Sequence, residues 1–296
     1  MQANHAPSAP ATPGPVPDDA GEQLASAIAP WLQHMVWRRD FNQWRERRIH
    51  QEHYQRDRLA LLERTVGPLT GTTILDLGAG MGGFAVAAAQ CGGRVIACEY
   101  HRAYCEITAL RAERYRLALP VCAAAGESLP FPAASFDAVV SWDVMEHVRS
   151  PTHMLAEIAR VLRPGGCAVL TVINRRAWVD PHYHMWGLNW LPRPWAERVI
   201  QWRGRSKAGA AFQDMQRLSE MHYFHYHEFV SLAQRHGFEV RDLREELLAE
   251  GHLPSPRWSR RAMRAVLRVV GFEHLAYRLQ RRWTTAMFEL ALDKKP

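Results

Sequence analysis

The sequence predicts an α/β fold: a mostly parallel sheet with helices on both faces, a doubly wound arrangement. Three observations lead there. Short apolar runs at 73–77, 94–98, 118–122, 137–142 and 167–173 alternate with helical stretches near 82–91, 101–116 and 151–162, the texture of strands joined by crossover helices. The stretch "ILDLGAGMGG", Ile74 to Gly83, drives a strand straight into a glycine turn. The punctuation agrees: Ser150-Pro151 suits an N-cap followed by proline at the first helical position, and Pro164-Gly165-Gly166 suits a turn back into a strand.

The elements follow in order. Residues 1–20 are rich in Pro and Ala and are expected to be a disordered tail. In 21–70, Leu24, Ile28, Trp31, Leu32 and Met35 keep helical spacing, and one long charge-rich helix is expected over 40–65. The alternating core occupies 71–173. Residues 174–222, crowded with Trp, His and Pro, read as an inserted lid. The rest of the core follows over 223–296: a helix over 226–235 ending at Gly237, a strand over 238–243, a basic helical insertion over 254–283 and a last strand in "AMFELALDKKP".

Composition sets the class. The 296 residues are 47% hydrophobic and 23% charged, with no apolar run long enough to span a bilayer. The N-terminus lacks the basic start and apolar core of a secretory signal, so a cytoplasmic protein is expected. Five cysteines without a C-x-x-C pair (Cys91, Cys98, Cys105, Cys122, Cys167) read as buried free thiols. A net charge of +7 is mildly basic.

The glycines of the turn fit two cofactors. Gly78, Gly80 and Gly83 match a dinucleotide fingerprint, and Gly78, Gly80 and Gly82 match the looser turn of S-adenosylmethionine enzymes. Asp76 separates them. A pyrophosphate beside that carboxylate would meet roughly 4 kcal/mol of repulsion at about 4 Å and an effective dielectric of ~20. An ammonium or sulfonium would be attracted. Glu99, at the end of the next strand, suits both ribose hydroxyls of either cofactor.

The motifs "ILDLGAGMGGF", "CEY", "AAGESLPFPAASFDAVVSWDVMEHV" and "VLRPGG" stand in the order and spacing of class I S-adenosylmethionine-dependent methyltransferases. The chain resembles the methyltransferase type 11 group that includes the quinone-biosynthesis enzymes, chiefly over 72–173. The resemblance implies a Rossmann-like seven-stranded sheet whose last strand is antiparallel, with S-adenosylmethionine as cofactor. It implies that Asp76, Gly78, Ala79 and Gly80 line the amino-acid end of the cofactor, that Glu99 and Tyr100 lie at the ribose, and that Gly126 and Glu127 cover the adenine. Many relatives carry Asp-Ala-Glu before "LPF"; Ala125-Gly126-Glu127 here leaves that contact to the backbone of Gly126 and Glu127. Trp142 and Asp143 would face the methyl group.

Methyl transfer needs a base only when the acceptor is a poorly ionised hydroxyl or an acidic carbon. Asp143, His147, His182 and His184 are the candidates. The lid holds five of the eleven tryptophans within 25 residues, and Trp186 and Trp190 suit a wall for a sugar face, an aromatic ring or a lipid chain. Its "DPHYHMWGLNWLPR" resembles a segment of methyltransferases associated with bacterial surface glycans. His182, His184, His222, His225 and His227 lack the H-E-x-x-H pattern, and no metal is expected. Residues 257–283 hold eight arginines against one acid, Glu273. Met263, Val266, Leu267 and Val270 form a stripe flanked by Arg257, Arg260, Arg261, Arg264 and Arg268. The pattern fits a helix lying on an anionic bilayer, at the inner face of the membrane, and fits better a cap packed on the domain with its arginines in solvent. No RNA-binding module accompanies these arginines, and no nucleic-acid partner is expected. The expected activity is methylation of a small or lipid-linked acceptor, first a sugar or glycolipid hydroxyl at oxygen. C-methylation of a polyprenyl quinone ring is second, and a non-catalytic S-adenosylmethionine-binding regulator is the reading of another class.

Overall fold

The computed structural model describes residues 18–36, 38–204, 216–252, 267–268 and 271–295. Most of the expected tail, residues 205–215 of the lid, and Arg257, Arg260, Arg261, Met263, Arg264, Val266 and Val270 of the basic run lie outside the described residues. Helices α1 (Asp18–Leu32), α2 (Phe41–Ile49) and α3 (Arg56–Val66) precede the sheet. Then come β1 (Thr73–Leu77), α4 (Gly83–Gln90), β2 (Arg94–Glu99), α5 (Arg102–Arg114), β3 (Val121–Ala123), β4 (Phe136–Ser141), α6 (Pro151–Val161) and β5 (Leu162–Ile173). After the lid, which carries α7 (Arg193–Trp202), come α8 (Tyr226–Arg235), β6 (Phe238–Asp242), α9 (Leu243–Ala249), α10 (Glu273–Trp283) and β7 (Met287–Lys294).

The strands form a seven-stranded sheet in the order β3-β2-β1-β4-β5-β7-β6. All run parallel except β7, which is antiparallel to both its neighbours. Side chains alternate between the two faces along each strand. Ile74, Ala138 and Val140 therefore join Phe84 and Leu62 on one face, and Leu75, Leu77 and Val139 join Leu155, Ile158 and Phe229 on the other. Because helices cover both faces, the central strands are almost continuously apolar. Strand order reverses between β1 and β4, and such a switch point opens a crevice at the carboxyl ends of the strands.

Some boundaries differ from the sequence expectation. The single helix over 40–65 is two helices, interrupted by a 3-10 turn at Gln51–Tyr54. The cause is Glu52, which turns inward to pair with Arg111 of α5, both fully buried. Arg111 also donates to the carbonyls of Arg48 and Ile49 at the end of α2 and to Met81 O in the glycine turn, at 2.9, 2.7 and 2.7 Å. One guanidinium thus satisfies helix-end acceptors that would otherwise be orphaned. Strand β5 begins at Leu162, and Pro164-Gly165-Gly166 forms an irregularity inside it, where the register with β4 shifts. Strand β3 is short and lies later than expected.

The lid is tethered at one neck. Asn174 and Phe224 bridge beside the end of β5, and Tyr183, Leu188, Ala196, Ile200, Leu218 and Met221 pack a small core with Ile173. Its five tryptophans stay outside that core: Trp178, Trp186, Trp190, Trp195 and Trp202 are all exposed. Helix α10 is turned in an unusual sense. Glu273, Tyr277 and Arg281 face the protein, with Tyr277 Oη donating to Asp242 at 2.9 Å and Arg281 pairing with Asp242 and Glu245. Phe272, Leu275, Leu279 and Trp283, at the same helical spacing on another face, point outward.

Candidate functional site

At the switch point β1 ends and the chain turns through Gly78-Ala79-Gly80. Gly78 has φ +78°, and a Cβ there would collide with the Val144 side chain. Gly80 has φ +55° and nothing within 4 Å of the place a Cβ would take, so the turn has open space above it. The amides of Gly78 and Ala79 donate to Cys98 O at 2.8 and 3.1 Å, clamping the turn to β2. Gly80 N donates to Glu99 Oε2 at 2.8 Å and His101 N to Oε1 at 2.9 Å, which aims the Glu99 carboxylate at the same opening. A carboxylate has further acceptor capacity for hydroxyls beyond those two bonds.

Asp76 is the most telling group. It is 1% exposed, and its Oδ2 has no hydrogen-bond partner among the described residues. Burial pushes its carboxyl up from the ordinary 3.8 to about 7; Arg58 opposes this, Glu99 adds to it, and the Ala85 amide opposes it slightly. A buried carboxylate with a spare oxygen beside an open turn fits a cationic ligand and suits a phosphate poorly.

Beyond β4, Trp142 is buried, edge-on to Phe84 at 5.6 Å and 5.0 Å beneath the Arg58 guanidinium. Asp143 has φ +61°, a conformation few non-glycine residues adopt. It is held there from three sides. Arg58 donates to Oδ2 at 2.6 Å, Thr171 Oγ1 donates to Oδ1 at 3.1 Å, and the Asp143 amide donates to Thr171 Oγ1 at 2.7 Å. Tyr100 is largely exposed. Gly126 packs on Met154, and Glu127 accepts from the amides of Arg149 and Ser150 at 2.6 and 3.2 Å, tying the loop to the start of α6.

A second cluster brings together two of the four candidate bases. Glu146 is 1% exposed and neither carboxylate oxygen has a hydrogen-bond partner among the described residues. His182 Nε2 lies 3.4 Å and His147 Nε2 3.9 Å from Glu146 Oε1, and the two imidazoles meet edge to face at 5.3 Å. Gln216, from the lid, fixes His147 twice. Its Oε1 lies 3.0 Å from Nδ1 and its Nε2 donates to His147 O at 2.8 Å. The amide orientation assigns the proton to Nδ1 and leaves Nε2 as the basic nitrogen. Asp180, also buried, accepts from the amides of His182 and Tyr183 and from Tyr223 Oη, which fixes the turn carrying His182. One ligand atom from each of Glu146, His147 and His182 lies within 4.8 Å of the others, so these are side chains that could hold a divalent ion. His184 lies outside that group of three, exposed, at φ +52°, with its amide donating to Asp180 O at 2.9 Å.

Trp186 and Trp190 flank Trp178 at 6.1 and 6.0 Å, and Trp190 meets Trp283 of α10 at 6.0 Å, so they build an exposed aromatic cluster. Sequence reasoning passed over Arg58, Glu146, Asp180 and Gln216. Glu146 and Asp180 carried a signal, their places inside the quoted "DVMEHV" and "DPHYHMWGLNWLPR".

Residues 75–170 match the family model described as a methyltransferase domain. A ubiquinone biosynthesis O-methyltransferase of Cereibacter sphaeroides is 30% identical over 132 residues, 43% of this chain and 52% of that protein. The chain spans about half the length of the curated relatives it matches. Among solved structures, YcgJ of Bacillus subtilis aligns over 80% of this chain and 98% of its own, with TM-score 0.50 and 16% identity. The phosphoethanolamine N-methyltransferase 2 of Haemonchus contortus aligns over 81% of this chain and 53% of its own, with TM-score 0.51 and 20% identity. Both share the fold. Residues 75–170 thus match a methyltransferase domain, set on a seven-stranded sheet whose fold the two solved structures share.

Proposed function

We propose that the chain is an S-adenosylmethionine-dependent methyltransferase acting on a hydroxyl oxygen of a small or lipid-linked acceptor. The observation that carries this reading is the partnerless Asp76 carboxylate beside the open turn at Gly80. In this reading Asp76 receives the cationic amino-acid end of the cofactor, Gly78, Ala79 and Gly80 leave room for it, and Glu99 accepts from the ribose hydroxyls. Tyr100, Gly126 and Glu127 border the nucleoside, and Trp142 forms the floor. The cofactor supplies a methyl group already activated on a sulfonium.

The protein's own task is to align the acceptor and exclude water. His147 is the base: Nε2 takes the hydroxyl proton, and the buried Glu146 carboxylate then faces a charged imidazolium. Gln216 holds the ring in the required tautomer. Asp143 is poorly suited to the same task, because Arg58 and Thr171 already engage both its oxygens. It and Arg58 shape the floor of the cleft instead.

The names of the curated relatives favour oxygen over carbon as the target and set a ubiquinone-type ring hydroxyl beside a sugar or glycolipid hydroxyl as acceptor. No described helix is long and apolar enough to cross a membrane. The outward stripe of Phe272, Leu275, Leu279 and Trp283 supports peripheral contact with a lipid surface. The test combines purified protein, methyl-labelled cofactor and a whole-cell extract of the source organism, followed by solvent partition. Label in the organic phase supports a lipid-linked acceptor and label in water a small one. Absence of label from both phases, with S-adenosylhomocysteine still bound, would contradict catalysis and favour a regulator.

A further inference from the structure

A basic cavity of about 310 Å³ opens on the edge of the sheet that also carries the cofactor turn, where β5 ends and β7 begins. Arg176, Arg278, Arg281, Arg282, His225 and His227 line it, and no acidic side chain does. Behind the wall, Arg278 and Arg281 are paired with Glu245, and Arg281 also with Asp242. Arg176 and Arg282 have no carboxylate partner among the described residues; each instead lies 5.2 Å from the Trp283 ring centroid. The indole holds two unneutralised guanidinium groups beside one opening. Their backbone is fixed as well. The buried Asn174 donates through Nδ2 to Arg281 O at 3.0 Å, Arg282 O at 3.3 Å and Thr285 O at 2.8 Å, and accepts from Arg176 N at 2.9 Å. The His225 and His227 rings lie parallel at 5.9 Å. The His225 imidazole is held below its ordinary range, mainly by burial and also by Arg176, against the opposite pull of Glu228.

We propose that this cavity binds a phosphate-type anion, and that the acceptor carries a phosphate or diphosphate held by Arg176 and Arg282 while its hydroxyl reaches the methyl-transfer site. Planar guanidinium groups match phosphate oxygens two bonds at a time, and fixed ones lose little freedom on binding. Helix α8 begins at the cavity with His225 as its N-cap, and its first amides are already capped, with Glu228 accepting from His225 N at 3.1 Å, so the attraction rests on the guanidinium groups. The volume, about ten times that of a water molecule, accommodates a phosphate with a sugar-sized neighbour. Calling the bound molecule the acceptor rests on the methyl-transfer reading; the anion site itself does not.

Isothermal titration of the full chain with inorganic pyrophosphate, and separately with S-adenosylhomocysteine, keeps the two apart. Pyrophosphate is expected to bind, and Arg176→Gln and Arg282→Gln each to weaken it about tenfold while S-adenosylhomocysteine binding and the melting temperature stay unchanged. Should either variant misfold, Arg282→Lys supplies the second measurement: it keeps the charge, loses the planar fork, and is expected to fall between wild type and Arg282→Gln. Co-sedimentation with phosphatidylcholine vesicles containing about a fifth phosphatidic acid identifies the source. Vesicle binding that pyrophosphate displaces points to a lipid-borne phosphate; pyrophosphate binding without vesicle binding points to a soluble phosphorylated acceptor. No pyrophosphate binding, or equal binding in all variants, overturns the anion site even if S-adenosylhomocysteine binds. Pyrophosphate binding without S-adenosylhomocysteine binding would overturn the methyl-transfer reading instead.

Discussion

Asp76 couples the cofactor to pH. Its folded pKa lies near 7, well above the ordinary 3.8, because burial disfavours the charge. This group therefore penalises the ligand-free fold as pH rises from about 4, with the penalty complete above about 7. A cationic ligand favours the ionised form, so binding releases a proton below that pH. Affinity for S-adenosylhomocysteine, followed by titration across pH, is expected to rise toward pH 7 and level off above it. Asp76→Asn should flatten that profile, weaken binding by about a hundredfold, and leave the ligand-free protein at least as heat-stable at pH 8. At the second cluster, His147→Gln is expected to lower kcat by about 10²–10⁴-fold with cofactor binding intact. Gln216→Ala should lower kcat less and shift its pH profile, because it frees the ring without removing the base. A Gln216→Ala enzyme with the wild-type profile would contradict that positioning role.

Among the elements, the α5 residue Arg111 joins α2, the 3-10 turn and the glycine turn through a single guanidinium. Arg111→Met leaves the buried Glu52 with only the Tyr115 hydroxyl at 2.7 Å and the Arg114 guanidinium at 3.7 Å and is expected to cost about 3 kcal/mol in chemical denaturation. A loss below about 1 kcal/mol would place the strength of that junction elsewhere. The sheet was legible because strand and helix periods alternate from Thr73 to Ile173, broken only by the helix-free connection between β3 and β4, and Asp76 and Glu99 because adjacent parallel strands bring their ends together. The break in the 40–65 helix was not legible. Glu52 and Arg111 are far apart in sequence, and nothing local says that a carboxylate in a charge-rich helix will turn inward. Arg58 and Gln216 escaped notice for the same reason: each reaches its place through tertiary packing of a segment outside the motif-bearing core. The density of tryptophans in the lid is legible in the sequence; their gathering with Trp283 of α10 is not, because it comes from a segment about 90 residues away.

For the molecule as a whole, two features share the region around Trp283: the outward stripe of α10 with its neighbouring tryptophans, and the basic cavity. Together they suit an amphipathic partner with an anionic head. Leu275→Glu with Leu279→Glu is expected to abolish co-sedimentation with anionic vesicles without changing the melting temperature, since both side chains are more than half exposed. Unchanged vesicle binding by this variant would show that the α10 stripe takes no part in the lipid contact. The central claim is cofactor binding at the β1 turn, and calorimetric titration of the full chain with S-adenosylhomocysteine tests it most directly. One-to-one binding that Asp76→Asn weakens strongly is the expected result. Absence of binding, or equal binding by the variant, would contradict it.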